Sequence, residues 1–367
     1  MEEWFKILNA AALDTPALVV YPERVRRNVA QLIASIDDVR RLRPHVKTHK
    51  CQEAVRLMMA AGIHKFKCAT IAEAEMLGLC GVADGLLAYQ PVGPKAARFI
   101  ALLKQYPATR FSCLVDHPQA AVQLHTLAAT ANLTVAVFID LNVGMNRSGI
   151  APEAAFDLYQ QCASLPNLDV VGLHVYDGHI HDADLTARTA QCNAAFAPVE
   201  ALTERLRSVG ACLVVVAGGT PTFPIHAKRR GVECSPGTFA YWDGGYERAF
   251  AEQPFLPAAL VLSRVVSLPD ATKLCLDLGH KAVASESALD KRVTFLNAPE
   301  LRVVGHSEEH LVVEAAPNHG YRLGDLLYGL PHHICPTVAL YDRALTIEHQ
   351  QVTGEWPTIA RGRTLTL

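Results

Sequence analysis

The sequence predicts an α/β chain: a (β/α)8 barrel followed by an all-β C-terminal domain. Three observations predict it. Between residue 40 and about residue 245, short apolar runs alternate with amphipathic stretches, and there are eight such runs. No GxGxxG turn follows an early run, which disfavours the doubly wound open sheet, the competing architecture. Beyond about residue 252 the rhythm changes to short β-rich runs divided by Pro, Gly and Asp.

Taken in order, Leu18–Tyr21 is a strand ahead of the barrel count, placed to pair with the second domain. The eight barrel runs are Leu42–Lys47, Lys65–Ala69, Gly85–Tyr89, Phe111–Val115, Leu133–Asp140, Val170–Tyr176, Cys212–Ala217 and Val232–Ser235. Helical spacing marks Glu53–Ala61, Ile71–Leu79, Pro94–Gln105 and Asp184–Ser208 between them. In the second domain Val261–Ser267, Lys273–Leu276, Val293–Phe295, His310–Glu314 and Ala344–Glu348 read as strands. The expected domains are residues 15–250 for the barrel and 251–367, with 1–14, for the β domain.

Composition narrows the partners. The 367 residues are 50% hydrophobic and 19% charged with a formal net charge of -2, and no Lys/Arg-rich stretch stands out. Nucleic acid and anionic membrane are therefore excluded as expected partners, and no apolar run is long enough to span a bilayer. Ten cysteines lack CxxC spacing and fall mostly in apolar runs, where cysteine acts as a small hydrophobe. Glu2, Glu3 and Lys6 interrupt any secretory signal, so a cytoplasmic location is expected.

The chemistry gathers at the ends of the barrel strands, which form the active-site mouth of such folds. Arg43–Lys50, RPHVKTHK, ends the first run and crowds His45, Lys47, His49 and Lys50 into one turn. A lysine whose ammonium is disfavoured there becomes a nucleophile toward an aldehyde, although a lysine pair also suits a basic surface loop. Ala217–Thr220, AGGT, and Ser235–Thr238, SPGT, end the last two runs and offer N–H groups and hydroxyls to a phosphate. Asn142–Gly149, NVGMNRSG, brings Arg147 to the mouth, suited to a phenolate or carboxylate or to a surface salt bridge. His174–His181, HVYDGHIH, adds three histidines, Tyr176 and Asp177. In the second domain His333 and Cys335 would share one face of an extended segment, as imidazole and thiolate ligands of zinc or another borderline metal. An HxC pair also arises by chance, and a buried cysteine usually serves packing.

Together these segments resemble the D-threonine aldolase and D-serine dehydratase family, which shares the alanine racemase-like barrel of fold-type III pyridoxal-phosphate enzymes. The resemblance spans nearly the whole chain, from DTPALVV (Asp14–Val20) through RPHVKTHK, NVGMNRSG, AGGT and SPGTFAYWD (Ser235–Asp243) to DLGHK (Asp277–Lys281), PHHICPT and ARGR (Ala360–Arg363). It implies that Lys47 carries pyridoxal 5'-phosphate as a Schiff base, with His45 in the same cofactor-binding set. Gly219, Thr220, Gly237 and Thr238 would surround the phosphate, Arg147 would lie by the ring hydroxyl, and His174 or Tyr176 would face the ring. His333 and Cys335 would hold a catalytic divalent metal, with zinc preferred over manganese or magnesium. The implied substrate is a small D-amino acid with a β-hydroxyl, and the implied assembly a homodimer.

Two reaction branches follow. If Lys47 removes the Cα proton and hydroxide departs, the product is a 2-oxo acid with ammonia. If His179 or His181 removes the β-hydroxyl proton, the Cα–Cβ bond breaks to glycine and an aldehyde. The VKTH turn and the cysteine of His333-x-Cys335 resemble the dehydratase branch, so a D-serine/D-threonine dehydratase is slightly preferred to a D-threonine aldolase. The rivals are an amino-acid racemase, which needs a second acid/base and no metal, and a non-catalytic cofactor carrier, which resembles the barrel alone.

Overall fold

A computed structural model describes residues 3–367, and its contacts divide the chain into two compact units. One comprises Leu32–Lys47, Val55–Gly237 and Gly362–Leu367. The other comprises Thr238–Arg361, Thr48–Ala54 and the N-terminal segment up to Gln31. The expected domain boundary lies at 250–251, whereas contacts assign Thr238 and everything after it, as far as Arg361, to the second unit.

A short strand, β1 (Ala17–Val20), precedes the first unit's sheet. That sheet has seven parallel strands in sequence order: β2 (Lys65–Cys68), β3 (Asp84–Leu87), β4 (Arg110–Val115), β5 (Val135–Leu141), β6 (Leu168–Val175), β7 (Val214–Ala217) and β8 (Val232–Cys234). The expected first strand, Leu42–Lys47, is not a continuous strand. Leu42 bridges Cys234 on one side and His45 bridges Lys67 on the other, which joins β8 to β2 and closes the ring. Pro44 explains the reduction: it has no N–H to donate, and only its carbonyl is used, by Lys67 N at 2.8 Å. The chain then turns through the 3-10 helix Val46–Thr48, which sets Lys47 at the strand ends. The barrel is therefore the eight-stave architecture the sequence predicts, with one stave made of bridges.

Helices follow the strands for local reasons. Before Ile71–Cys80, the Thr70 hydroxyl accepts from Glu73 N and the Glu73 carboxylate accepts from Ala69 N, a variant of the capping box. Gly81, at φ 68°, ends that helix in the left-handed conformation. At the N-terminal ends of the strands Arg43 Nε donates to Glu233 Oε2 at 2.8 Å, and Arg43 also pairs with Asp84 and Lys65 with Glu233. Arg43 thus serves the floor of the barrel, not its mouth.

The second unit is a nine-stranded, mostly antiparallel sheet. It contains β1, β9 (Ala259–Ser267), β10 (Lys273–Leu276), β11 (Val293–Phe295), β12 (Arg302–His306), β13 (Leu311–Glu314), β14 (Leu326–Pro331), β15 (Arg343–Glu348) and β16 (Gln351–Pro357). β1 pairs antiparallel with β9 and parallel with β15, as expected for the early strand. Its core holds Phe5, Val19, Tyr21, Leu260, Leu262 and Tyr328. Three strands lack a clear sequence signal. In β14, LLYGLP, Gly329 reads as a turn, but a Cβ there would meet Val293 Cγ2 at 2.7 Å and Val261 Cγ2 at 2.9 Å, so glycine permits close strand packing.

Candidate active site

In the barrel unit one aromatic ring organises the mouth. Tyr176 follows the end of β6, and three cations approach its ring centroid: Lys47 Nζ at 6.0 Å, Lys67 Nζ at 5.6 Å and Arg147 Cζ at 4.9 Å. Lys47 is fixed locally, since its N–H donates to the buried His45 Nδ1 at 3.2 Å. A Cβ added to Gly219 would lie 3.3 Å from Tyr176 Cε2, so the AGGT turn runs against the same ring. Lys47, Arg147, Tyr176 and Gly219, read separately from sequence, therefore converge.

The two glycine turns meet as well. Gly237 N donates to Thr220 Oγ1 at 3.1 Å, and Ser235 Oγ is buried with no hydrogen-bond partner among the described residues. A buried hydroxyl without a partner, beside two glycine turns, is a polar cradle ready for an anion. Thr238, assigned to the second unit, follows directly in the chain.

Two buried carboxylates brace this arrangement. Asp140 Oδ1 accepts from His174 Nδ1 at 2.7 Å, and Oδ2 accepts from Ser148 Oγ at 2.9 Å, tying β6 to the Arg147 loop. Burial, and less strongly the Lys67 and Arg147 charges, hold the His174 imidazolium down despite Asp140. The ring is neutral, and with Nδ1 donating, Nε2 is a buried acceptor with no partner among the described residues. Asp177 Oδ1 accepts from Thr222 Oγ1 and Oδ2 from His226 Nε2, both at 2.8 Å. Burial alone would raise the Asp177 carboxyl, but the bond and charge of His226 bring it below the usual carboxylate range. Thr222 Oγ1 in turn accepts from Gly219 N at 3.3 Å, so Asp177 holds the AGGT turn through one hydroxyl.

Asp177, Cys192 and His226 place one ligand-type atom each within 4.8 Å of one another. Burial pushes the Cys192 thiol up to about 12, and its Sγ lies 3.7 Å from Asp177 Oδ2 and 3.4 Å from His226 Nε2, so hydrogen bonds join the trio.

Lys67 is the residue the sequence reading missed. It is 2% exposed, and burial, followed by the Lys47 charge, lowers its ammonium to about 7. The available signal was the alternation KFKC in β2, which puts Lys65 and Lys67 on one face between apolar positions. His226 and Thr222 were also missed, because only the fold brings them to Asp177. His49, expected among the basic groups of the first turn, is buried in the second unit against Tyr241, and desolvation lowers it to about 3, so it is a neutral core ring. His179 and His181 are exposed; His181 Nδ1 donates to the His179 carbonyl at 2.8 Å, and the His179 ring lies over Gly144.

The second unit carries the other donor pair. His333 is the extended N-cap of the short helix Ile334–Val338, so Cys335 lies in a helical turn and not on the extended segment expected. The turn forms because Thr337 Oγ1 donates to the His333 carbonyl and Ile334 N donates to Asp243 Oδ2. The two side chains still interact. Burial opposes charge on His333, but its bond with Cys335 and the charges of Cys335 and Asp243 raise it to about 9. Glu286 Oε1 accepts from His333 Nδ1 at 2.5 Å, and Thr48 Oγ1 lies 3.1 Å from Cys335 Sγ. A pocket that favours positive charge on imidazole, with an imidazole and a sulfur as donors, fits a borderline divalent cation.

The barrel fold defines the class. Residues 20–244 match the alanine racemase N-terminal domain family, to which the chain belongs, and residues 258–347 match the domain described as "Putative serine dehydratase domain". The chain is 29% identical over 362 residues to a D-threonine aldolase of an Arthrobacter species, covering 96% of this chain and 94% of the relative. It is 27% identical over 247 residues to a D-threo-3-hydroxyaspartate dehydratase of a Delftia species, covering 63% of this chain and 62% of the relative. The crystal structure of the D-threonine aldolase from Filomicrobium marinum superposes with a TM-score of 0.89 at 27% identity, covering 97% of both chains. No helix among the described residues is long and apolar enough to cross a membrane.

Proposed function

We propose that this chain is a pyridoxal-phosphate- and divalent-metal-dependent lyase acting on D-β-hydroxy-α-amino acids. The observation that carries the reading is the Tyr176 ring, which Lys47, Arg147 and the AGGT turn all approach. The orphan Ser235 hydroxyl and the neutral acceptor His174 Nε2 are the polar atoms a phosphorylated pyridine would satisfy. Lys47 would hold the cofactor, and Gly219, Thr220, Gly237 and Thr238 its phosphate. His45 fixes the Lys47 turn, and Arg147 receives oxyanion charge. When bound, pyridoxal phosphate supplies an electron sink for bond cleavage at the substrate Cα. His333 and Cys335 would hold the divalent metal, zinc first, which supplies Lewis acidity for the β-hydroxyl.

Of the two branches we take dehydration first, with Lys47 Nζ removing the Cα proton. The cysteine at position 335 supports it, as does the exposure of His179 and His181, which leaves them unshielded as bases for the β-hydroxyl. The second reading, a D-threonine aldolase, is supported by the 29% identity to such an enzyme over nearly the whole chain. Ten free cysteines support a reducing, cytoplasmic setting. The homodimer rests on the family resemblance.

The test is proton NMR of the zinc- and cofactor-loaded protein with D-threonine. 2-Oxobutanoate with ammonia establishes the dehydratase, and glycine with acetaldehyde establishes the aldolase. L-allo-Threonine alone, the Cα epimer of D-threonine, would establish a racemase, and no turnover of D-threonine, D-serine or D-threo-3-hydroxyaspartate would remove the lyase reading.

A further inference from the structure

Buried ionisable groups are paired, are driven toward neutrality, or are held for a ligand that pairs them. Lys67 is such a group. Its side chain is almost wholly enclosed, and its Nζ makes no ion pair or hydrogen bond among the described residues. The two carboxylates that influence it, Asp177 and Asp140, are spoken for. Both oxygens of Asp140 are taken by His174 and Ser148, and both oxygens of Asp177 by Thr222 and His226. Around Tyr176 the barrel therefore collects Lys47, Lys67 and Arg147 with no carboxylate committed to Lys67. If Lys47 is consumed in holding the cofactor, Lys67 and Arg147 remain as the cations that meet the ligand.

We propose that Lys67 is an anion-receiving residue of the barrel mouth, and that its partner is an oxyanion brought by the ligand: the cofactor's phenolate or a carboxylate of the substrate. This rests on the reading of the mouth as a pyridoxal-phosphate site. It assigns Lys67 a binding role separate from that of Lys47. It also explains why a lysine sits on the inner face of β2, where burial opposes its charge. The energetic cost of the unpaired ammonium is carried by the empty chain and recovered when the anion binds.

The test compares the wild-type chain with Lys67→Met, Lys67→Gln and Lys67→Arg. Thermal melting of each cofactor-free chain is read first. Pyridoxal phosphate is then titrated through the visible band it acquires on joining a lysine, followed by spectral titration with D-threonine and with D-threo-3-hydroxyaspartate. The neutral variants should melt above the wild type without cofactor and bind one class of ligand at least about tenfold more weakly, with Lys67→Arg recovering most of the loss. A loss confined to pyridoxal phosphate identifies the phenolate. A loss shared by both substrates identifies the α-carboxylate. A loss confined to D-threo-3-hydroxyaspartate identifies its second carboxylate. All affinities within twofold of wild type in folded Met or Gln variants would overturn the role of Lys67 alone. A wild-type chain that takes up no pyridoxal phosphate would overturn the reading of the mouth, and the role of Lys67 with it.

Discussion

Replacing Asp177 by Asn keeps the shape of the side chain and removes its charge. Asp177 accepts from Thr222 Oγ1 and His226 Nε2, both at 2.8 Å, and from Cys192 Sγ at 3.7 Å. An amide can keep its oxygen on Thr222, but its NH2 then faces the Nε2–H of His226, donor against donor. His226 then either leans on Cys192 Sγ, 3.4 Å from Nε2, or moves its proton to Nδ1, which is buried and has no partner among the described residues. The change therefore forfeits one charge-assisted bond, about 1.5–3 kcal/mol. For a unit of about 200 residues, melting falls about 2–4 °C per kcal/mol, so the variant should melt about 3–12 °C lower. Asp177→Ala removes the acceptor of Thr222, His226 and Cys192, leaving His226 Nε2 only Cys192 Sγ at 3.4 Å, and should cost about 3–5 kcal/mol. The functional consequence passes through Thr222 to the Gly219 N–H. Loosening that turn should weaken pyridoxal phosphate about tenfold, the equivalent of about 1.4 kcal/mol, and leave pyridoxal, which lacks the phosphate, nearly unchanged. Melting curves and parallel titrations of the two vitamers measure both effects. Wild-type melting in Asp177→Asn, or equal losses for the two vitamers, would show that Asp177 does not position the phosphate turn.

Three further outcomes are expected. Lys67 is lowered to about 7, by burial first and the Lys47 charge second, while an unfolded lysine titrates near 10.5. Between those pH values the unfolded chain holds the extra proton, so cofactor-free stability should rise with pH by up to about 1.4 kcal/mol per unit relative to Lys67→Met. Below pH 7 the two slopes should coincide, and denaturant melts across pH 6–10 would expose a disagreement. Gly218 has φ +75°, and a Cβ there would lie 2.7 Å from His226 Cδ2 and 2.8 Å from Thr222 Oγ1. Gly218→Ala should cost about 1–3 kcal/mol and weaken pyridoxal phosphate, as read by denaturation and titration. His333→Ala and Cys335→Ala should each lose bound zinc by elemental analysis of dialysed protein while retaining the cofactor's visible band; undiminished zinc in either variant would remove that residue as a ligand.

Much of this was legible from the chain because the informative residues stand beside turns. The glycine pair after β7, proline and glycine after β8, and a lysine-rich turn after the first stave are local signals; the barrel brings the first and last to one ring and bonds the second to the first, because each follows a strand. What was not legible depended on long-range closure. Pro44 reduces the first stave to bridges, which no run of apolar letters reveals, and Gly329 reads as a turn although it lies within the sheet. The charge on Arg43 goes to the barrel floor while that of Lys47, four residues on, goes to the mouth, because the bridged stave runs between them and ends in the 3-10 turn that carries Lys47. Lys67 was hidden because a lysine in a strand ordinarily marks an exposed face. His226 declares itself only when Asp177, 49 residues earlier, is brought within 2.8 Å.

The most direct measurement is to load the protein with pyridoxal phosphate, reduce it with borohydride and map the modified peptide by mass spectrometry. The mouth offers two lysines near one ring, and the lowered ammonium of Lys67 makes it a real competitor. Modification at Lys47 alone is the expected result. Modification at Lys67, or at neither lysine under conditions where the cofactor's visible band has formed, would contradict the assignment of Lys47 as the cofactor-bearing residue.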